Sequence, residues 1–187
     1  MKIIDKNSFL KNKNFYIKEM LLGKIFVYPT DTIYGIGCNA LMSSPIKKIQ
    51  EVKKRNEKPF SIIAPTKKWL KNNCIIGDDY MLKLPGKVTL ILNLRNKNCV
   101  SKEINQNTDN LGVRIPDHWF SKIIEEANIP FVTTSVNIAG DPYIKSIKEI
   151  PASIKKEVDY AVNDGVLNNS PSTIIDLSSE NIKITKR

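Results

Sequence analysis

The chain has a single histidine, His118, and three cysteines, Cys38, Cys74 and Cys99, with no C-x-x-C pair among them. A metal cage of several His or Cys ligands is thereby excluded, and an odd number of thiols builds no disulfide framework. One imidazole leaves little room for a Ser-His-Asp relay, and the three Cys read as buried or incidental thiols. Aromatic residues amount to 7%, with no visible cluster for stacking nucleobases. Neither Gly23-Lys24 nor Gly86-Lys87 is followed by Ser or Thr, so the chain lacks a Walker A loop and any phosphate site must be improvised from side chains. No apolar run approaches the roughly 20 residues that cross a bilayer. The first twenty residues scatter Lys and Asn where a secretory leader needs an apolar stretch. The expectation is a cytoplasmic protein with no membrane partner.

Arginine is scarce as well. Of 29 cationic residues 25 are Lys, and the four Arg are Arg55, Arg95, Arg114 and Arg187; against 19 acidic residues the net charge is +10. Such a balance favours anionic partners without choosing among nucleotides, nucleic acid and acidic lipid. The few Arg positions are the more informative cations, because a planar fork suits phosphate or carboxylate.

What is present is enough for one folded domain over residues 1–187: 41% hydrophobic and 26% charged residues place the chain among water-soluble globular proteins of single-domain length. β-Branched apolar runs predict strands at residues 24–28, 60–64, 88–94, 111–115, 131–134, 160–162, 173–177 and 182–185. Helical periodicity fits residues 9–22, 45–55, 67–72, 78–83, 118–127 and 146–158. This alternation predicts an α/β fold, a twisted mixed sheet with flanking helices. Ser44-Pro45 is a good helix start. On that helix Ile46, Ile49 and Val52 form the apolar face, Lys53 falls within about 40° of its centre and Lys54 about 140° away, at about 100° per residue. Lys53 is thus aimed at the protein and Lys54 at solvent; an inward Lys needs an anionic partner or must snorkel.

Polar groups collect at strand ends. In Pro29-Thr-Asp-Thr-Ile-Tyr-Gly-Ile-Gly37, extended backbone would put Thr30, Thr32 and Tyr34 on one face, a way to hold a small polar ligand, though an ordinary strand-to-turn segment reads the same. Gly35-x-Gly37-x-x-Ala40 matches a loose dinucleotide fingerprint but fails on context, since no helix opens among the glycines. Arg114 points to the face opposite Leu111, Val113 and Ile115, beside Gly112; it either serves a ligand or is merely solvated on an edge. Ser135 and Asn137 share a face if their strand continues, and Ser172 and Thr173 add two hydroxyls. Cations plus hydroxyls, without paired carboxylates or an activated nucleophile, suit phosphoryl or adenylyl transfer, where positioning and charge neutralisation dominate.

Six motifs in order, Pro29–Gly37, Lys53-x-Arg55 with Lys58-Pro-Phe60, Leu84-Pro-Gly86 before Thr89, Val113-Arg-Ile-Pro116, Thr134-Ser-Val-Asn137 with Gly140, and Ser172-Thr-Ile-Ile-Asp176, resemble the YrdC-like family of threonylcarbamoyl-AMP synthases in its short, single-domain form. The resemblance implies a basic concave cavity and an enzyme that condenses L-threonine, bicarbonate and ATP, with Mg²⁺, to threonylcarbamoyl-AMP. A downstream tRNA threonylcarbamoyl transferase would then modify adenosine 37 of tRNA. By position, Lys53, Arg55, Ser135 and Asn137 match the family's catalytic K-x-R and S-x-N residues. Lys53, Arg55, Lys58, Asn137, Ser172 and Lys186 would bind ATP; Thr30, Thr32, Tyr34, Arg114 and Ser135 would bind threonine. No protein side chain is implied as a metal ligand. Asn56, Lys87 and Ala139 depart from the family pattern, and a gap-free reading puts Lys186, with Arg187 one residue later, where the family has a C-terminal Arg. The competing expectation is a basic protein that binds tRNA or other RNA weakly along its backbone without catalysis; a third is carbamoyl chemistry on another acceptor.

Overall fold

The computed structural model describes residues 1–54, 58–106 and 108–187. Its elements in chain order are β1 Lys2–Asp5, α1 Lys6–Lys11, α2 Lys13–Leu21, β2 Phe26–Tyr28, β3 Gly35–Gly37, α3 Ser43–Val52, β4 Ser61–Ile63, α4 Lys67–Asn73, α5 Asp78–Met81, β5 Val88–Asn93, α6 Lys102–Asn105, β6 Asn110–Arg114, α7 Trp119–Ala127, β7 Phe131–Ser135, α8 Ala152–Glu157, β8 Tyr160–Asn163, β9 Thr173–Asp176 and β10 Lys183–Thr185. The strands form one mixed sheet in the order β1-β8-β2-β3-β7-β4-β6-β5-β9-β10. Four pairs are parallel (β1/β8, β2/β8, β4/β6, β5/β9) and the other five antiparallel, three of these consecutive from β2 to β4 in the middle of the sheet. The expected α/β class with a mixed sheet and flanking helices is what the chain adopts.

The two faces of the sheet are packed with different material. One carries α1, α2 and α7 over an aromatic cluster in which Phe9 stacks on Tyr16 and Tyr28 stacks on Phe120 at 4.6 Å between centroids. The other is aliphatic, with Ile46 and Ile49 of α3, Leu70 of α4 and Ile154 of α8 against Val27, Ile36, Ile62, Leu90 and Val132. Each fully buried side chain of this size contributes about 1.5–3 kcal/mol. All three cysteines are buried free thiols, and burial pushes Cys74 up to about 12 and Cys99 up to about 11.

Several expected boundaries shift for local reasons. The helix expected over 9–22 is two helices, because the Asp5 carboxylate caps α1 through the Ser8 amide and the chain breaks at Asn12. Pro151 splits the helix expected over 146–158 into a 3₁₀ turn at Ile147–Glu149 and the short α8, since Pro has no N–H to continue a helical ladder. Strands β1 and β3 and helix α6 have no strong pattern of their own: β1 exposes three of its four residues. β3 is Gly-Ile-Gly, and a Cβ on Gly37 would lie 1.8 Å from the Val132 carbonyl. Close strand approach, not phosphate, therefore accounts for the second glycine of the G-x-G pair. Helix α3 starts at Ser43 without a side-chain cap; the Ser43 hydroxyl donates instead to Glu103.

Candidate active site

A cavity of about 130 Å³ opens at the ends of the central strands. That volume is well below the 300–1,000 Å³ typical of drug-sized ligands and suits something of amino-acid size. Its wall holds Thr30, Thr32 and Tyr34 from the segment after β2, Ser61 of β4, Thr89 of β5, Arg114 of β6, and Thr133, Thr134 and Ser135 of β7. Tyr143, Pro171, Ser172 and Arg187 line it as well, with Ile33 and Gly35. Six of the sequence-derived positions, Thr30, Thr32, Tyr34, Arg114, Ser135 and Ser172, thus meet on one surface although they come from four parts of the chain.

The Thr30–Thr32–Tyr34 face arises differently from the expectation. Residues 31–33 bend rather than extend. The Thr30 hydroxyl donates to the Ile33 carbonyl (2.7 Å), accepts from the Thr32 amide (3.1 Å) and lies 2.9 Å from the Thr32 hydroxyl. A Thr that satisfies its own turn competes with strand geometry, so the two hydroxyls are brought together by a turn. Tyr34 lines the cavity, and its hydroxyl donates to the Gly165 carbonyl (2.8 Å) and accepts from the Asp164 amide (3.0 Å). Its phenol is raised above its ordinary value by burial.

Arg114 ends β6 at 6% exposure. One terminal nitrogen donates to the Asp31 carboxylate, the other to the Thr32 hydroxyl (3.1 Å), and Nε is buried with no partner among the described residues. The opposite carboxylate oxygen of Asp31 accepts from the Asp117 amide at 2.9 Å. Burial lowers the Arg114 guanidinium below its usual range while Asp31 pulls it back up. Gly112, two residues earlier, leaves room for Ser61, whose hydroxyl would lie 2.5 Å from an added Cβ.

Lys53 and Asn137 stand beside this wall rather than on it. Lys53 is the residue after α3 and is 2% exposed, as its place on the helix face predicts. Its ammonium donates to the Ser135 carbonyl, the Asn137 carbonyl (2.8 Å) and Asn137 Oδ1 (3.1 Å). Lys54 is exposed with φ of 51°, in the left-handed region that ends the helix. Strand β7 stops at Ser135, so the shared face expected for Ser135 and Asn137 does not come from a continuing strand. Instead Asn137 turns back: its amide donates to the Ser135 carbonyl (3.2 Å), and Ser135 Oγ donates to Asn137 Oδ1 (2.6 Å).

Lys58 and Lys186 are exposed and do not line the cavity; Arg55 lies outside the described residues. At the C-terminal end it is Arg187 that reaches the wall, with Nε and a terminal nitrogen donating to the Ser172 carbonyl and hydroxyl, both at 3.0 Å. Ser172 Oγ in turn sits 2.7 Å from Thr89 Oγ1. Sequence reasoning missed Asp31, Ser61, Thr89, Thr133 and Tyr143. Asp31 carried a signal, a carboxylate between two Thr in a chain poor in buried acids. Ser61, Thr89 and Thr133 needed the sheet order, because alternate strand residues give no hint of which face meets the cavity, and Tyr143 lies in the connection after β7, where no periodicity places it. Among the described residues no group of three or more His, Cys, Asp or Glu could hold a metal, and no helix is long and apolar enough to cross a membrane.

A mixed α/β sheet carries a small hydroxyl-rich cavity at its strand ends, with two guanidinium groups in its wall, a set of partners chemically suited to a compact anionic or zwitterionic molecule. The family model Sua5/YciO/YrdC, described as telomere recombination, matches residues 18–187, and the chain belongs to that family. A relative from Methanocaldococcus jannaschii, provisionally named threonylcarbamoyl-AMP synthase, is 35% identical over 97% of this chain and 89% of its own length. The human threonylcarbamoyl-AMP synthase is 28% identical over 87% of this chain, which spans 61% of the human protein. Among solved structures, Pyrococcus abyssi Sua5 complexed with L-threonine superposes with a TM-score of 0.87 at 26% identity, over 98% of this chain and 56% of that one. Escherichia coli YciO shares the fold, at a TM-score of 0.83, 22% identity and coverage of 99% and 93%.

Proposed function

We propose that this chain makes threonylcarbamoyl-AMP from L-threonine, bicarbonate and ATP. The observation that carries the reading is the cavity of amino-acid size, in which an Arg–carboxylate corner and a row of hydroxyls offer partners for a carboxylate, an amine and a hydroxyl at once. Membership of the family and the names of the relatives support it. Threonine binds with its carboxylate toward Arg114, since charge-assisted contacts to a guanidinium are the strongest available there, and with Thr30, Thr32 and Ser135 around the rest of the molecule.

The threonine amine captures bicarbonate as a carbamate with loss of water. A carbamate oxygen then attacks the α-phosphorus of ATP, and pyrophosphate leaves with the electron pair of the broken P–O bond. Two anions must approach each other, so neutralising charge is the main catalytic demand. Arg55 and Lys58, after the end of α3, are the cations proposed to meet the phosphates directly, with Ser172 and either Lys186 or Arg187 on the other side; the contacts of Arg187 favour that residue, and Lys53 is proposed to support the phosphate corner from behind the wall. Lys53 also holds the turn that carries Ser135 and Asn137. Mg²⁺ would be held by the phosphates of ATP rather than by protein side chains, and would offset their charge. The product serves a separate tRNA threonylcarbamoyl transferase in the cytoplasm, and any affinity of the basic surface for RNA is weak.

The test is pyrophosphate release from ATP and Mg²⁺ with and without L-threonine and bicarbonate, with L-serine as control. Release that requires both threonine and bicarbonate is the expected result. Intact ATP in every mixture, with RNA retained at low salt and lost as salt rises, would favour the backbone-binding reading instead.

A further inference from the structure

We propose that Asp31 is a positioning residue for the amino acid: it fixes the angle at which the Arg114 guanidinium meets the ligand's carboxylate. The inference rests on the reading of the cavity as a threonine site.

The two side chains form the only ion pair among the described residues that is buried on both sides, at 7% and 5% exposure for Arg114 and Asp31. An Arg side chain is long, and a guanidinium offers five donors in a rigid plane; fixing that plane takes contacts from more than one direction. Here Asp31 holds one terminal nitrogen and Thr32 Oγ1 the other. Asp31 is itself fixed by the Asp117 amide on its second oxygen, and its own carbonyl accepts from Asn169 Nδ2 at 3.3 Å. The guanidinium is therefore wedged, with Nε buried and unpartnered and further N–H groups left for a ligand. A buried ion pair is a poor device for stability, because apolar replacements of the same volume often match it. Orientation of a binding fork is a use that an apolar pair could not supply. Asp31 also offsets one of the two guanidinium charges on this wall; after burial, the Arg114 charge is the second cause that lowers Arg187.

The test compares L-threonine with L-threoninamide, which keeps the amine and hydroxyl but has no carboxylate, by titration calorimetry on the full chain. Asp31→Asn is expected to weaken L-threonine at least tenfold while changing L-threoninamide less than twofold, because only the acid uses Arg114. Asp31→Glu retains the charge but displaces it by one methylene, and should weaken L-threonine severalfold with the amide again unmoved. That variant carries the comparison if Asp31→Asn does not fold. Unchanged or tighter L-threonine binding in the variants, or equal losses for both ligands as a merely structural role would give, overturns the proposal. A parent protein that binds neither ligand overturns the threonine reading itself, and is told apart because the failure lies in the parent and not in the variants.

Discussion

Lys53 and Arg114 are both buried cations, and they are held in different ways. Lys53 sits behind the wall and spends its ammonium on the carbonyls of Ser135 and Asn137 and on Asn137 Oδ1. Arg114 sits in the wall, shares its charge with Asp31 and keeps donors in reserve. The difference follows from the groups: an ammonium is a point charge whose three donors can be met by scattered oxygens, whereas a guanidinium needs a flat partner and has an edge left over. The first shapes a turn that carries other side chains; the second lines the cavity, where it is the cation proposed to meet the ligand.

Breaking the Lys53 corner should have the largest effect on activity. Lys53→Ala leaves three oxygens without this donor, so activity in the pyrophosphate assay should fall more than hundredfold, with about 3 kcal/mol lost in urea unfolding. The Arg114 corner comes next: Arg114→Gln leaves the Asp31 carboxylate buried without its cation, at a cost of about 3–5 kcal/mol. The KM for threonine should rise at least tenfold while that for ATP moves little. If both KM values rise together, the contrast between a shaping cation and a ligand cation is wrong.

A smaller effect tests the flank of the site. His118 Nε2 lies 3.3 Å from Asp164 Oδ2, and the Asp164 backbone anchors the Tyr34 hydroxyl. Burial lowers the His118 imidazole below its ordinary value, against the pull of Asp164 and Asp31. A base with a depressed folded value binds its proton more weakly when folded. Its contribution is therefore full above the unfolded value of about 6.5 and is lost as pH falls below it toward the lower folded value. Urea midpoints should drop between pH 7.5 and pH 5.5 in the parent, and less so in His118→Gln. The smallest effect is the control: Lys54→Ala, on an exposed neighbour of Lys53, should stay within about 0.5 kcal/mol and leave activity nearly unchanged. Comparable losses at Lys53 and Lys54 would remove the basis for reading α3 by its faces.

Much of this was legible along the chain. The direction of Lys53 followed from three apolar residues at helical spacing, and the strands that carry Arg114, Ser135 and Thr173 were readable from their β-branched runs. Where reading failed, a local competitor or a distant partner intervened. Thr30 satisfies its own turn, which no alternation pattern announces. Asn137 reaches Ser135 by turning back at the end of β7, not by continuing it. β3 is a strand because β2 and β7 flank it in the sheet.

The sequence by itself determined the class of fold, the inward Lys, the stock of hydroxyls and cations, and the family motifs, because periodicity and residue chemistry are local properties. Only the tertiary structure decided that Asp31 partners Arg114, that Arg187 and not Lys186 reaches the cavity, and that Ser61, Thr89 and Thr133 join the same wall. Those contacts depend on which strands lie side by side and on the sharing of buried charge across more than eighty residues of chain, and packing the whole sheet is what sets them.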